Sequence, residues 1–325
     1  MGSFDSPLKS GYIGSLSIAC SMTIFIIIFF TLLVVLISVS AVLFFIGPGM
    51  LLHPDRRTIA YYRGRTTKLH PRDIGVRFEE ITLKTADGLK LSCWLLPADG
   101  VPKGTIVHLH GVSECKIVGL PLAERLHQHG YNVFLYDSRR HGDSEGKFCT
   151  YGFYEKHDTS TLISWLQSRT DLETGKIGLF GSSMGAAVAI QVAARDKRVA
   201  VVVAESGFAT LRTIFDDYQK RMTKLPWHYL RNLVIVRSER MAHFKASSVS
   251  PVDAVQDVHV PIFILHGTED RLIKSSYSQQ LYESAGQPKE LWLIEGANHS
   301  NMAEVGGEEY YKRILDFFDS VMAKK

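Results

Sequence analysis

Three regimes of hydrophobic patterning follow one another along the chain. From Lys9 to Asp55 no aspartate, glutamate, lysine or arginine intervenes, and the run Ile24-Phe25-Ile26-Ile27-Ile28-Phe29-Phe30 continues apolar to Ile46. A bilayer core about 30 Å thick needs roughly 20 such residues in a helix, so the segment is long enough to span. Ser38-Val39-Ser40-Ala41 offers the small residues of a signal-peptide cleavage site. The apolar run nevertheless exceeds the usual ~7–15 residues of a secretory signal, and it reads as a retained anchor. Gly47-Pro48-Gly49 is expected to break it. The layout so predicted is an N-terminal tail over 1–15, a transmembrane helix over 16–47 and a connector over 48–75.

In the second regime Phe78 to Lys84 and Leu89 to Leu96 are strand-like runs joined through Ala86-Asp87-Gly88, a hairpin signal. The third alternates short apolar runs with longer amphipathic ones. Thr105 to Leu109, Asn132 to Tyr136, Lys176 to Phe180, Val199 to Ala204, Pro261 to Leu265 and Glu290 to Ile294 read as strands. Val118 to His129, Tyr154 to Gln167, Met184 to Arg195, Ser275 to Ala285 and Glu308 to Met322 read as helices. Continuous apolar strands separated by helices predict an α/β fold, a mostly parallel central sheet with helices on both faces. The domain is placed at 76–325, with an insertion at about 207–260 where the alternation stops. Chemistry in such sheets gathers beyond the carboxyl ends of the strands.

Charge changes this picture only locally. The chain has 37 Lys+Arg against 33 Asp+Glu, a formal +4, with 46% hydrophobic and 22% charged residues. That is ordinary globular usage and excludes disordered, collagen-like and disulfide-scaffold classes. Arg56, Arg57, Arg63, Arg65, Lys68 and Arg72 lie just after the apolar segment, whereas Lys9 stands alone before it. The positive-inside bias therefore puts the main domain on the cytoplasmic side. A basic juxtamembrane stripe is either a topology signal alone or an attractor for the anionic headgroups of membrane lipids. Nucleic acid is not an expected partner, since no binding module is recognisable. Cys20, Cys93, Cys115 and Cys149 form no C-x-x-C pair and read as reduced thiols. No metal or organic cofactor is implied, and the oligomeric state is not legible. Met1-Gly2-Ser3-Phe4-Asp5-Ser6 fits the short myristoylation pattern, which an outward N-terminus would forbid.

The candidate chemistry sits at the predicted strand ends. Gly181-Ser182-Ser183-Met184-Gly185 falls between a predicted strand and a predicted helix, the context of a nucleophile elbow that lifts the Ser183 hydroxyl off the sheet. A serine hydroxyl needs a general base and an orienting acid, in the chain order serine, acid, histidine. Asp270 and His299 stand on the loops after two successive predicted strands in that order. Glu205, ending another strand, is a second place from which a carboxylate reaches the histidine, and is expected to shape the pocket. The oxyanion donors are expected to be the backbone N–H groups of Met184 and, from His110-Gly111-Val112-Ser113, of Val112.

These residues carry a resemblance. His110-Gly111, the loop Asp137 to Gly146 (DSRRHGDSEG), the elbow, His266-Gly267-Thr268-Glu269-Asp270 and Asn298-His299 together resemble the α/β-hydrolase superfamily over roughly residues 76 to 325. Within it the chain looks like serine aminopeptidase-like and monoacylglycerol-lipase-like hydrolases with an N-terminal membrane anchor. The resemblance implies a helical cap over 207–260, a pocket floor closed by the Asp137 loop, and substrate contacts from His110, Gly111, Glu205 and Trp227. Val112-Ser113-Glu114 departs from the Asn or Gly-rich residues that relatives often carry. The cap carries a net +5 between Arg212 and Lys245. A basic, aromatic-bearing cap near a membrane points to lipid-derived or amphiphilic acyl esters. Two alternatives stay open, a peptidase for short peptides and a non-catalytic binding module. The sequon Asn298-His299-Ser300 lies over the expected base, where a glycan would obstruct the site, so it reads as incidental.

Overall fold

The computed structural model describes residues 8–223 and 228–323. Its first element, α1 (Leu8–Leu52), is one 45-residue helix. From Cys20 onward it is long and apolar enough to cross a membrane, with a mean hydropathy of 3.1 in its most apolar window. The break expected at Gly47-Pro48-Gly49 does not occur: Pro48 lies inside the helix. Proline removes one hydrogen bond to the preceding turn. Here the preceding turn is held from outside, where Gly47 packs against Val234 and Arg237 stands over Phe44, and the turn after it by Leu52, which is fully buried and whose carbonyl accepts from Cys149 N at 2.9 Å.

The connector is structured. It contains the single turn α2 (Ile59–Tyr62) and a 3-10 turn over Pro71–Ile74, and Arg57 and Arg65 lie over the Tyr61 ring at 4.7 and 4.3 Å. The hairpin β1 (Glu79–Lys84) and β2 (Lys90–Leu96) pairs antiparallel in the register Glu79 to Leu95 through Lys84 to Lys90. Then follow β3 (Thr105–Leu109), α3 (Leu120–Gln128), β4 (Asn132–Tyr136), α4 (Glu155–Ser168), β5 (Ile177–Ser182), α5 (Met184–Ala193) and β6 (Val199–Glu205). The insertion holds α6 (Leu211–Thr223), α7 (His228–Ala242) and the short α8 (Pro251–Ala254). The chain closes with β7 (Ile262–Gly267), α9 (Ser275–Ser284), β8 (Lys289–Ile294) and α10 (Met302–Met322). Gly307 interrupts α10 with φ +56°, so the regular helix resumes at Glu308, where the periodicity put its start.

The eight strands form one sheet in the order β1-β2-β4-β3-β5-β6-β7-β8, parallel from β4 to β8. Its central strands are mostly apolar on both faces because each feeds two cores. Val202, Ala204, Ile262 and Ile264 face one core with α4, α5 and α9. Val201, Val203, Phe263 and Leu265 face the other with α3 and α10. This strict period of two on a doubly covered sheet leaves polar chemistry only at the strand ends. At that end α1 also meets the cap: Gly47 is so close to α7 that a Cβ there would lie 2.5 Å from Val234 Cγ2, and Arg237 stands over Phe44 at 5.2 Å.

Candidate active site

Ser183 is the turn residue between β5 and α5, with φ 54° and ψ −113°. A non-glycine residue rarely adopts positive φ, and its persistence means the surroundings enforce it. They do so through close packing. A Cβ on Gly181 would lie 2.2 Å from Gly185 O, and one on Gly185 would lie 2.0 Å from Leu109 O. Ser183 N–H is fixed to Glu205 O at 2.7 Å. The hydroxyl is thereby held at the N-terminus of α5, where the first N–H groups have no intrahelical acceptor.

His299 Nε2 lies 3.1 Å from Ser183 Oγ, and its Nδ1 lies 2.6 Å from Asp270 Oδ2. With Nδ1–H donating to the carboxylate, Nε2 is free to accept the serine proton. Asp270 is itself held: Leu272 N and Ile273 N donate to Oδ1 at 2.8 and 2.9 Å, and His266 Nε2–H to Oδ2 at 3.1 Å. Burial alone would raise the Asp270 carboxyl, but the hydrogen bonds from His266 and His299 outweigh it and hold the group well below the usual carboxylate range. Burial likewise opposes a charge on His299. The bond and charge of Asp270, with the charges of Glu114 and Glu205, outweigh it and raise His299 above an ordinary imidazole.

Glu205 is buried and does not touch His299. It accepts from Ser182 Oγ at 2.8 Å and Tyr310 OH at 2.6 Å, and burial raises its carboxyl. It lines a cavity of about 270 Å³ that His299, Glu114 and Ser182 share. Of the two carboxylates weighed from sequence, the structure thus brings Asp270 to the histidine and puts Glu205 on the pocket wall.

Met184, the first residue of α5, follows the nucleophile as expected. The facing loop is held in a way the sequence did not disclose. Gly111 N–H donates to Glu114 Oε2 at 2.8 Å, and Ser113 takes φ 65°. Gly111 comes close enough to the nucleophile that a Cβ would lie 3.4 Å from Ser183 Cβ. Val112 beside it is half-buried and borders a cavity of about 610 Å³. His110 differs from the expected substrate contact. It is fully buried, its Nδ1 lies 2.7 Å from Gly111 O, and its Nε2 accepts from Ser138 N at 3.0 Å, so it ties this loop to the one after β4. Burial pushes the His110 imidazole down to about 4, which keeps it neutral. Trp227 lies outside the described residues.

The loop after β4 is a rigid support. Asp137 accepts from Lys116 Nζ at 2.6 Å, Lys116 N at 2.7 Å and Asp143 N at 2.9 Å. A Cβ on Gly142 would lie 2.3 Å from Asp137 Cγ, so only glycine admits this wrap. Arg139 makes two 2.7 Å bonds to Asp158. The contacts missed from sequence are Glu114 on Gly111, His266 on Asp270 and Tyr310 on Glu205. His266 lies in a motif already singled out, whereas Tyr310 carries no sequence signal. No cluster of three metal-ligating side chains occurs among the described residues.

Residues 82–243 match the X-Pro dipeptidyl-peptidase (S15) family, and residues 247–306 the serine aminopeptidase S33 family. The chain is 31% identical over 223 residues to the uncharacterized protein YqkD of Bacillus subtilis, an alignment covering 67% of this chain and 72% of that one. It is 23% identical over 238 residues to alpha/beta hydrolase domain-containing protein 17B of Xenopus tropicalis, covering 72% and 73%. Among solved structures, the Pyrococcus furiosus esterase Pf2001 superposes with a TM-score of 0.68 at 28% identity, over 83% of this chain and 99% of the esterase.

Proposed function

Because the chain belongs to the α/β-hydrolase superfamily of serine esterases and peptidases, we propose that it is a membrane-anchored serine hydrolase cleaving acyl esters, lipid-derived or amphiphilic ones above all. The observation that carries this reading is the unbroken chain Ser183 Oγ, His299, Asp270 at 3.1 and 2.6 Å, on an elbow whose backbone is strained to present the serine. The esterase activity of Pf2001 supports the choice of bond. The apolar cavity of about 550 Å³ beside the cap supports an apolar acyl group.

In this mechanism Ser183 Oγ attacks the acyl carbonyl while His299 Nε2 takes its proton. The tetrahedral oxyanion receives hydrogen bonds from Met184 N–H and Val112 N–H, a contribution often worth about 100- to 1000-fold in rate per donor. His299 returns the proton to the leaving oxygen as the acyl–oxygen bond breaks. Water, deprotonated by the same imidazole, then attacks the acyl-enzyme, and Ser183 leaves with that proton. Asp270 stays ionised throughout and holds the imidazole in the tautomer that leaves Nε2 to work. The main domain lies on the cytoplasmic side, with the span of α1 in the bilayer and the basic connector against its headgroups.

The test is a matched panel of acyl esters and short peptide amides, offered to the detergent-solubilised full chain and to Ser183→Ala. Ester turnover that depends on Ser183 and exceeds amide turnover is the expected result. Amide cleavage in excess would favour the second reading, a peptidase for short peptides, which the matched dipeptidyl- and aminopeptidase families support.

A further inference from the structure

The apolar cavity beside the insertion is not lined by the hydrolase domain alone. Its volume is about 550 Å³, within the ~300–1,000 Å³ range of small-molecule sites. Leu43, Gly47, Met50 and Leu51 of α1 form one wall. Phe215 and Tyr218 of α6 and Leu230, Val234 and Ile235 of α7 form the opposite one. Two of the polar residues on its border are engaged elsewhere: Arg221 Nη1 donates to Arg271 O at 2.5 Å, and Arg231 pairs with Asp216. The remaining lining is apolar and suits an apolar occupant.

The cavity leads to the chemistry. Leu272, half exposed, lines it, and the N–H of that residue holds Asp270 at 2.8 Å. Met50, Tyr151 and Tyr218 are shared with the second cavity, of about 610 Å³, which extends to Val112 and Ser113, next in the chain to the Gly111 that approaches Ser183. At the other end the position of α1 decides where the mouth lies. Its side chains are exposed from Cys20 to Val42 except for a half-buried Ser40, and from Leu43 on half-buried and buried positions are interspersed with exposed Phe45, Ile46 and Met50. Leu43 and the cavity wall that begins with it belong to the last turns of the apolar segment of α1.

We propose that the last turns of the membrane helix are a wall of the acyl-binding site, so that the acyl chain of the substrate passes from the bilayer along α1, between it and α7, to Ser183. The proposal rests on the acyl-ester reading above. It makes the anchor part of the specificity site rather than a tether. Gly47 is central to the geometry, since its bare backbone lets α7 approach to the point where a Cβ would strike Val234.

The experiment uses the full chain in phosphatidylcholine nanodiscs, with Leu43→Trp and Met50→Trp as cavity-filling variants on α1, a helix face that is half-buried or exposed and tolerates the change. Palmitate and butyrate esters of one alcohol are compared. In both variants the palmitate-to-butyrate ratio of kcat/KM is expected to fall about tenfold, as pocket filling commonly costs. A diazirine-bearing palmitic acid in the same nanodiscs is expected to crosslink Phe215 or Leu230 of the cap in wild type and to lose those crosslinks in Met50→Trp. An unchanged palmitate-to-butyrate ratio in both variants, or crosslinks confined to α1, would overturn the proposal. Crosslinks at Phe215 without turnover of any ester would support the acyl site and count against the proposed activity, which separates the two failures.

Discussion

Ser183, His299 and Asp270 differ in what fixes them. The serine is positioned by backbone strain, of order 1–3 kcal/mol for such a conformation, which the glycines on either side make sterically possible. The histidine is positioned by the carboxylate, and the carboxylate by two backbone N–H groups and His266. Asp270→Asn removes the acceptor that selects the imidazole tautomer, and kcat is expected to fall about 10⁴-fold with substrate affinity kept, read by steady-state kinetics. A loss below tenfold would mean that Asp270 does not orient the base. Glu114 makes a subtler prediction. His299 acts as a base only when neutral, and its pKa is raised in part by the Glu114 charge. Glu114→Gln keeps an acceptor for Gly111 N–H but removes that charge, so the acidic limb of the pH–rate profile moves to lower pH. A limb that stays in place or moves upward would contradict this electrostatic account.

At the scale of elements, the site is a meeting of strand ends held by packing too tight to alter. Gly185→Ala puts a methyl against Leu109 O, which must part β3 from α5. A loss of roughly 1–3 kcal/mol or more is expected in urea melts, with fluorophosphonate labelling lost as the elbow shifts. The Lys116–Asp137 pair under the loop after β4 has side chains only 4% and 0% exposed. Lys116→Met leaves a buried carboxylate without its counter-charge, and about 3–5 kcal/mol of stability is expected to go. Melting curves that superpose on wild type would show the pair to be dispensable. The strands carrying the triad were legible because each is a short apolar run ended by glycine or a polar residue. Chain order then matched serine, acid and histidine to three of those ends. The contacts of Glu114, His266 and Tyr310 were not legible, because each joins positions whose proximity only the finished sheet creates. Tyr310 is 105 residues from Glu205, and nothing in the pattern of α10 marks it out.

The whole molecule couples a helix read as an anchor to a domain read as an enzyme. Its apolar length was plain from the sequence. Its continuation through Pro48 was not, since the local signal for a break is real and is overridden by contacts of Leu52, Gly47 and Phe44 with distant residues. The same contacts turn the cap and α1 into the two walls of one cavity, which no reading of either segment alone discloses. Alkaline carbonate extraction is expected to leave the full chain in the membrane pellet with residues 16–47 intact, and release of the chain would contradict the retained span. The central claim, that Ser183 is an activated nucleophile, is tested most directly by fluorophosphonate labelling of the full chain beside Ser183→Ala and Ser182→Ala. The account predicts labelling of wild type and Ser182→Ala and none of Ser183→Ala. Labelling that survives in Ser183→Ala, or its absence from well-folded wild type, would contradict it.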